Sequence, residues 1–262
     1  SSAASDVYKR QEYWAGSETD IRAWELFQKG RVQENAVSRT ALARATEFYR
    51  QAIAIDPSFL QARVSLGFCL LDGLRLGWHD NPRDAEEGVA RIVAEIFVLS
   101  PSHLHGRALH AFWLCSQGHF EDALARMTAV VAEAPESPEM LSYLAAIFGY
   151  CGDLAHSIDL YRHALTLTPH PPVWIRTNLI LDCLMLGRNG VGPQIDEILE
   201  GDPGNIRAHI CKVVHLIRAD RMAEAHQVAE RIRSLQPGFT AENWRSRVFF
   251  RDPSHHDVIA AD

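Results

Sequence analysis

The stretch PEMLSYLAAIFGYCGDLAHSIDLYRHALTLTP, residues 138–169, decides the fold. Its first half carries Leu141, Leu144 and Ala145 on one helical face, and its second half carries Ser157, Tyr161 and Ala164 on another. Gly152 and Asp153 between them supply a turn. Small Ala145 and Ser157 let two antiparallel helices approach closely, while Leu144 and Tyr161 fill the space around that contact. Pro169 closes the pair: it has no amide hydrogen to donate, and it disfavours helical geometry at Thr168 before it. The stretch reads as one helix hairpin, helix A followed by helix B.

Outward from this hairpin, the same punctuation repeats. Pro101, Pro135, Pro169, Pro203 and Pro237 stand 34 residues apart, and Pro57 lies 44 upstream of Pro101. The internal slots recur in phase: Ala45, Tyr49 and Ala52 before Pro57; Leu66 and Gly67 in the second unit; Gly118, Phe120, Ala123 and Val130 before Pro135; Met222, Ala225 and Ile232 before Pro237. Self-similarity at this period marks stacked helix-turn-helix units, and the 34-residue length with its small-residue positions is that of a tetratricopeptide array. The expected fold is all-α, an α–α superhelix of about six helix-turn-helix repeats with a C-terminal capping helix. We expect a leader over 1–20, a single superhelical domain over 21–262, units at 21–57, 58–101, 102–135, 136–169, 170–203 and 204–237, and a cap at 238–262.

The departures from the ruler are informative. A helix is predicted near Ile21 to Gly30, capped by Asp20 or Thr19, pairing with one from about Thr40 to Ile55. The second unit carries ten extra residues, which we read as an extended helix A, a turn through His79 to Asn81 and a helix from about Pro82. In the fifth unit Gly190, Gly192 and Pro193 stand where helix B belongs, so that helix starts late and stacks less well. After Pro237 come Phe239, Trp244, Val248, Phe249 and Phe250, an aromatic closing helix, with a last short helix from Pro253 or Ser254. The chain opens at Ser1 without Met and ends at Asp262 in helical sequence, so it is expected to be a piece of something longer.

Composition excludes several classes. Hydrophobic residues make up 47% and charged residues 23%, ordinary for a soluble fold, and no apolar run reaches membrane-spanning length. A net charge of −7 with scattered Lys and Arg argues against a nucleic-acid surface. Cys69, Cys115, Cys151, Cys183 and Cys211 lie on successive A helices with no C-x-x-C pair, which fits buried, reduced thiols of a cytoplasmic protein.

At Ala23-Trp24-Glu25-Leu26, Gly30, Gly77-Trp78 with Asn81-Pro82, and Phe250-Arg251-Asp252-Pro253, the chain resembles the C-terminal tetratricopeptide region of bacterial class III adenylate/guanylate cyclases and related winged-helix transcriptional regulators. The resemblance covers nearly the whole chain. It implies a sensory or protein-interaction module that follows a catalytic or DNA-binding domain; no cyclase catalytic segment is present, so no catalytic residue carries over. It also implies that A helices line the concave face. The residues so placed form a candidate peptide-binding or protein-binding groove: Gln61, Val64, Phe68, His105, Phe112, Ser142, Tyr150, Arg176, Ile180, Arg207 and Arg218. Relatives that clamp a chaperone's terminal carboxylate use Lys and Asn on this face. Val64, Phe68, Ala108 and Phe112 hold those positions here, so no such clamp is expected.

Thirteen histidines raise the question of chemistry. His103, His105 and His110 form the densest run, but no H-E-x-x-H or cysteine pair completes a metal site. Gly187 to Gly192 lacks the strand and Lys of a phosphate loop. The expectation is a non-enzymatic scaffold without metal or cofactor that binds a protein or peptide segment in its groove. Two alternatives stand beside it: a homodimerisation module pairing attached catalytic domains through its aromatic end, and a metal-sensing or small-ligand-sensing helical domain.

Overall fold

The computed structural model describes residues 20–34, 38–237, 240 and 250–252, and these form twelve helices with no strand. In chain order they are α1 (Ile21–Glu34), α2 (Arg39–Ile55), α3 (Leu60–Leu76), α4 (Pro82–Leu99), α5 (Leu104–Ser116) and α6 (Phe120–Glu133). There follow α7 (Pro138–Cys151), α8 (Leu154–Thr166), α9 (Val173–Met185), α10 (Gly192–Gly201), α11 (Ile206–Arg218) and α12 (Met222–Leu235). Each helix packs on the next, and the A helices α3, α5, α7, α9 and α11 also pack on one another in series. This serial stacking of hairpins is an α–α superhelix.

One piece of backbone chemistry ends every A helix from α3 onward. At Gly77, Gly118, Gly152, Gly187 and Asp220 the chain turns left-handed, with φ of 68°, 82°, 91°, 81° and 56°. Two carbonyls of the last turn are then satisfied by the following amides. Gly152 N donates to Gly149 O at 3.0 Å and Asp153 N to Phe148 O at 3.0 Å; Gly118 and His119, Gly187 and Arg188, and Asp220 and Arg221 repeat the pattern. This is the Schellman closure, which favours glycine because a Cβ is strained at positive φ. The B helices end differently. Asp56, Ser100, Ala134, Asp202 and Gln236, each one residue before a ladder proline, cap α2, α4, α6, α10 and α12. Side-chain N-caps fall in register too: His103 Nδ1, Ser137 Oγ and Asn205 Oδ1 accept from Gly106, Met140 and Ala208 amides.

Differences from the sequence expectation have local causes. α1 runs a turn beyond Gly30, because Gly30 is a point of close approach rather than a stop: a Cβ there would lie 2.4 Å from Tyr49 Cε1. Asp20 does cap this helix, its Oδ1 accepting from Arg22 N at 2.8 Å. The insert in the second unit folds as expected, with Gly77 ending a 17-residue α3 and Pro82 opening α4. α10 has ten residues and begins at Gly192, four residues past the position one 34-residue period after the start of α8. All but Asp20 of the leader expected over 1–20, and the closing helix expected around Trp244, lie outside the described residues.

The core follows the hairpins. Ala23, Ala45, Ala52, Ala123, Ala145 and Ala164 are fully buried at helix crossings, with Tyr49, Leu109, Met127, Ile147, Ile158 and Tyr161 filling the gaps between them. The stack curves far enough for its sixth hairpin to meet its second: Arg207 of α11 reaches Asp72 of α3, and Gln236 Nε2 donates to Leu76 O at 3.0 Å.

Candidate interaction groove

Four aromatic side chains on four successive A helices run along the inner face. Phe68 of α3 lies 5.5 Å from Phe112 of α5, Phe112 lies 5.5 Å from Tyr143 of α7, and Tyr143 lies 5.5 Å from Trp174 of α9, centroid to centroid. Phe68 also stacks on Tyr143 at 5.1 Å, and Phe112 meets Tyr150 at 6.3 Å. These spacings suit the electrostatics of aromatic pairs. Phe68, Phe112, Tyr143 and Trp174 are half-buried, unlike the fully enclosed aromatics Tyr49, Phe59 and Tyr161.

Polar clusters flank the run. Asp72 Oδ1 accepts from Arg75 Nη2 at 2.6 Å and from Arg207 Nη2 at 2.8 Å, and Arg75 Nη1 donates to the Tyr150 hydroxyl at 2.5 Å. Burial raises the Asp72 carboxyl, with Arg75 opposing it. On the neighbouring stretch Glu139 accepts from the Tyr143 hydroxyl at 2.9 Å and lies 3.1 Å from His105 Nε2. Burial works to raise the Glu139 carboxyl, but the hydrogen bond with His105, the charge of Arg31 and the Tyr143 hydroxyl outweigh it and hold it at about 2. Glu34 accepts from the Tyr49 hydroxyl at 2.6 Å, and burial raises its carboxyl despite the nearby Arg31.

A third cluster is deeper. Asp182 of α9 is 6% exposed, and its Oδ2 lies 2.5 Å from Ser157 Oγ, which in turn lies 2.7 Å from Ala145 O. A serine hydroxyl has one proton, so two short contacts to acceptors cannot both be donated by it. Burial pushes the Asp182 carboxyl up to about 7 against the lowering effect of Ser157. In its protonated form Asp182 donates to Ser157 Oγ and Ser157 donates to Ala145 O, which satisfies all three groups. Gly149 makes the space for this: a Cβ there would stand 3.0 Å from Asp182 Oδ2. A cleft at this point is lined by Arg75, Tyr150, Tyr161, Asn178, Asp182 and Arg207, with Phe250 alongside.

The groove residues read from the sequence fall into three groups. Phe68, Phe112, Tyr150 and Arg207 come together in the aromatic and Asp72 clusters, and His105 joins Glu139 across one hairpin boundary. Gln61, Val64, Ser142 and Ile180 are buried, and Ser142 Oγ donates back to Pro138 O at 2.6 Å. Arg176 pairs at 2.9 Å with Glu197 of helix α10, and Arg218 is half-buried at the end of α11. The reading of the groove from sequence missed Tyr143, Trp174, Arg75 and Asp182. The signal that could have found the first two is simply an aromatic on each consecutive A helix.

The histidine run has structural work to do. His103 caps α5, and burial depresses it to about 4, keeping Nδ1 free to accept. His110 packs edge-on against Phe97 at 5.2 Å. Among the described residues no three His, Cys, Asp or Glu side chains are grouped to hold a metal ion, and no helix is long and apolar enough to cross a membrane. All five cysteines are unpaired thiols, and burial pushes Cys211 up to about 12.

No family model and no curated sequence matches the chain. Solved structures align with the chain at low identity. A structure described as the functional characterization of Pseudomonas aeruginosa PilF aligns at 14% identity and TM-score 0.48, covering 88% of this chain and 98% of that one. Yeast Tom70 aligns at 11% identity and TM-score 0.46, covering 93% and 66%. MamA from Desulfovibrio magneticus RS-1 aligns at 15% identity and TM-score 0.36, covering 83% and 97%. At these scores nothing functional transfers, and the repeat reading rests on the 34-residue register and the hairpins themselves.

Proposed function

We propose that this chain is a non-catalytic protein-interaction scaffold that binds a protein or peptide segment along the inner face of its superhelix. The observation that supports this most is the run Phe68, Phe112, Tyr143 and Trp174: large rings on four successive A helices, in edge-on and stacked contact with each other and left half-buried where a core would enclose them. Such a strip, with an apolar centre and paired polar side chains at Asp72, Arg207, His105 and Glu139, suits an extended or helical segment that buries its own apolar side chains there. The resemblance to cyclase-associated tetratricopeptide regions adds a setting: the scaffold belongs to a larger bacterial signalling protein and relays the binding event to an attached domain.

The test is selection of displayed random peptides on the immobilised chain, followed by affinity measurement against Trp174→Ser and Phe112→Leu variants of unchanged melting temperature. Groove binding predicts binders whose affinity drops in both variants. Binders indifferent to both substitutions, or none at all, would overturn the reading.

A further inference from the structure

Phe250 and Arg251 return from beyond the sixth hairpin to the middle of the inner face. Phe250 is 9% exposed, with its ring 5.9 Å from Tyr150 of α7. The Arg251 amide donates to Tyr150 O at 2.8 Å, and its guanidinium meets Glu121, the second residue of α6, at 2.7 Å. Tyr150 O is one of the last four carbonyls of α7, which no amide within the helix can reach; Gly152 and Asp153 satisfy Gly149 O and Phe148 O, and Arg251 satisfies this one. A segment that merely covers the end of a stack has its natural contacts on the last hairpin, α11 and α12. This contact lies two hairpins further in, beside the aromatic run.

The three contacts are generic in kind: a ring on a ring, a backbone amide on a helix-end carbonyl, a guanidinium on an exposed carboxylate. Any non-helical segment with an aromatic residue followed by arginine can make them. We infer that the Tyr150 end of the groove is a subsite for an aromatic–Arg pair, that Phe250–Arg251 is its resident occupant in cis, and that a partner segment enters by presenting the same pair and displacing it. This inference rests on the groove reading above. The covalent attachment of the resident pair gives it a high effective concentration, so an outside segment competes at a disadvantage that removing the Phe250 ring relieves.

The experiment uses the full chain and a fluorescent peptide with the sequence of residues 244–256, followed by polarization. The F250A chain is expected to bind this peptide about tenfold or more tighter than the unaltered chain, because the competent fraction rises when the resident pair is weakened. The same peptide carrying F250A is expected to bind neither chain. Glu121 is a surface residue, its side chain 72% exposed, so E121R leaves the fold intact and supplies a second arm. A peptide carrying R251E is expected to prefer the F250A/E121R chain over F250A alone. Equal affinity of the peptide for the unaltered and F250A chains, binding to neither, or no charge-swap preference overturns the proposal. If that happens while selected peptides still depend on Trp174, the groove reading survives and only the subsite fails; loss of both sinks both.

Discussion

Arg207 on α11 donates to the carboxylate of Asp72 on α3 across 135 positions of sequence, at 2.8 Å, and shares the accepting oxygen with Arg75. In a simple stack each unit touches only its neighbours. This bond instead ties the sixth hairpin to the second, so the curvature of the superhelix is pinned by a polar contact as well as by packing. The two guanidiniums have side chains 11% exposed, so removing their shared acceptor strands two cations in poor solvent. Asp72→Asn is therefore expected to cost more than Arg207→Gln, about 2–3 against about 1 kcal/mol. Urea denaturation of the two variants and their double mutant checks this; equal costs would show that Asp72 answers to Arg207 alone.

Asp182 makes stability depend on pH in a direction opposite to that of most carboxylates. Its folded pKa is raised to about 7 from the ordinary aspartate value of 3.8, so between those limits the native state holds a proton that the unfolded chain has released. The stabilisation is fully present below about pH 4, falls as pH rises toward 7, and is gone above it. Asp182→Asn keeps a donor for Ser157 Oγ and cannot ionise. It is expected to match the unaltered chain near pH 4 and to exceed it at pH 8 by on the order of 2–4 kcal/mol. Melting curves across this range decide it, and a variant less stable at pH 8 would refute the buried-acid account.

Much of the fold was legible in the sequence because the 34-residue register puts backbone chemistry at fixed places. Pro57, Pro101, Pro135, Pro203 and Pro237 mark B-helix ends through the amide they lack, and Gly118 and Gly152 mark A-helix ends through a φ that other residues resist. These are local constraints, readable one residue at a time. Gly30 shows the limit: a glycine that stops a helix and a glycine that admits Tyr49 against its Cα look alike in sequence. The groove was legible only in part for a similar reason. Placing groove residues as if every A helix were alike fails because α3 is longer and enclosed on nearly all sides, which buries Gln61 and Val64, while the aromatic run is made in part by Tyr143 and Trp174, which were not among the expected residues. Asp182 was invisible because its meaning depends on Ser157, 25 residues away, and on a gap at Gly149.

Asp220 occupies a slot that the register reserves for glycine. It follows Gly152 by twice 34 residues and adopts φ 56°, the left-handed turn that Gly77, Gly118, Gly152 and Gly187 adopt elsewhere. Its backbone bonds to Ile217, with Arg221 to Leu216, are those of the other four closures, and its side chain is exposed. Asp220→Gly thus removes strain without removing a contact, offset in part by the extra freedom of glycine in the unfolded chain. A gain of about 0.5–1 kcal/mol is expected. Thermal and urea unfolding measure it, and a loss of stability would mean that the Asp220 side chain contributes more than the turn costs.

Gly149 tests the packing around Asp182 from the other side. A methyl group there would stand 3.0 Å from Asp182 Oδ2, 3.3 Å from Oδ1 and 3.4 Å from Ser157 Oγ, and Oδ2 and Oγ are held together by a short hydrogen bond in a buried site. Neither side chain can swing away without leaving a polar group unpaired, so Gly149→Ala is expected to destabilise by about 1–3 kcal/mol despite the higher helix propensity of alanine. If the clash with the carboxyl is the cause, the penalty belongs to the pair. In an Asp182→Ala background the same substitution is expected to be neutral or favourable, since the methyl then enters vacated space. A double-mutant cycle by urea denaturation gives the coupling, and additive costs would place the strain of Gly149→Ala somewhere other than Asp182.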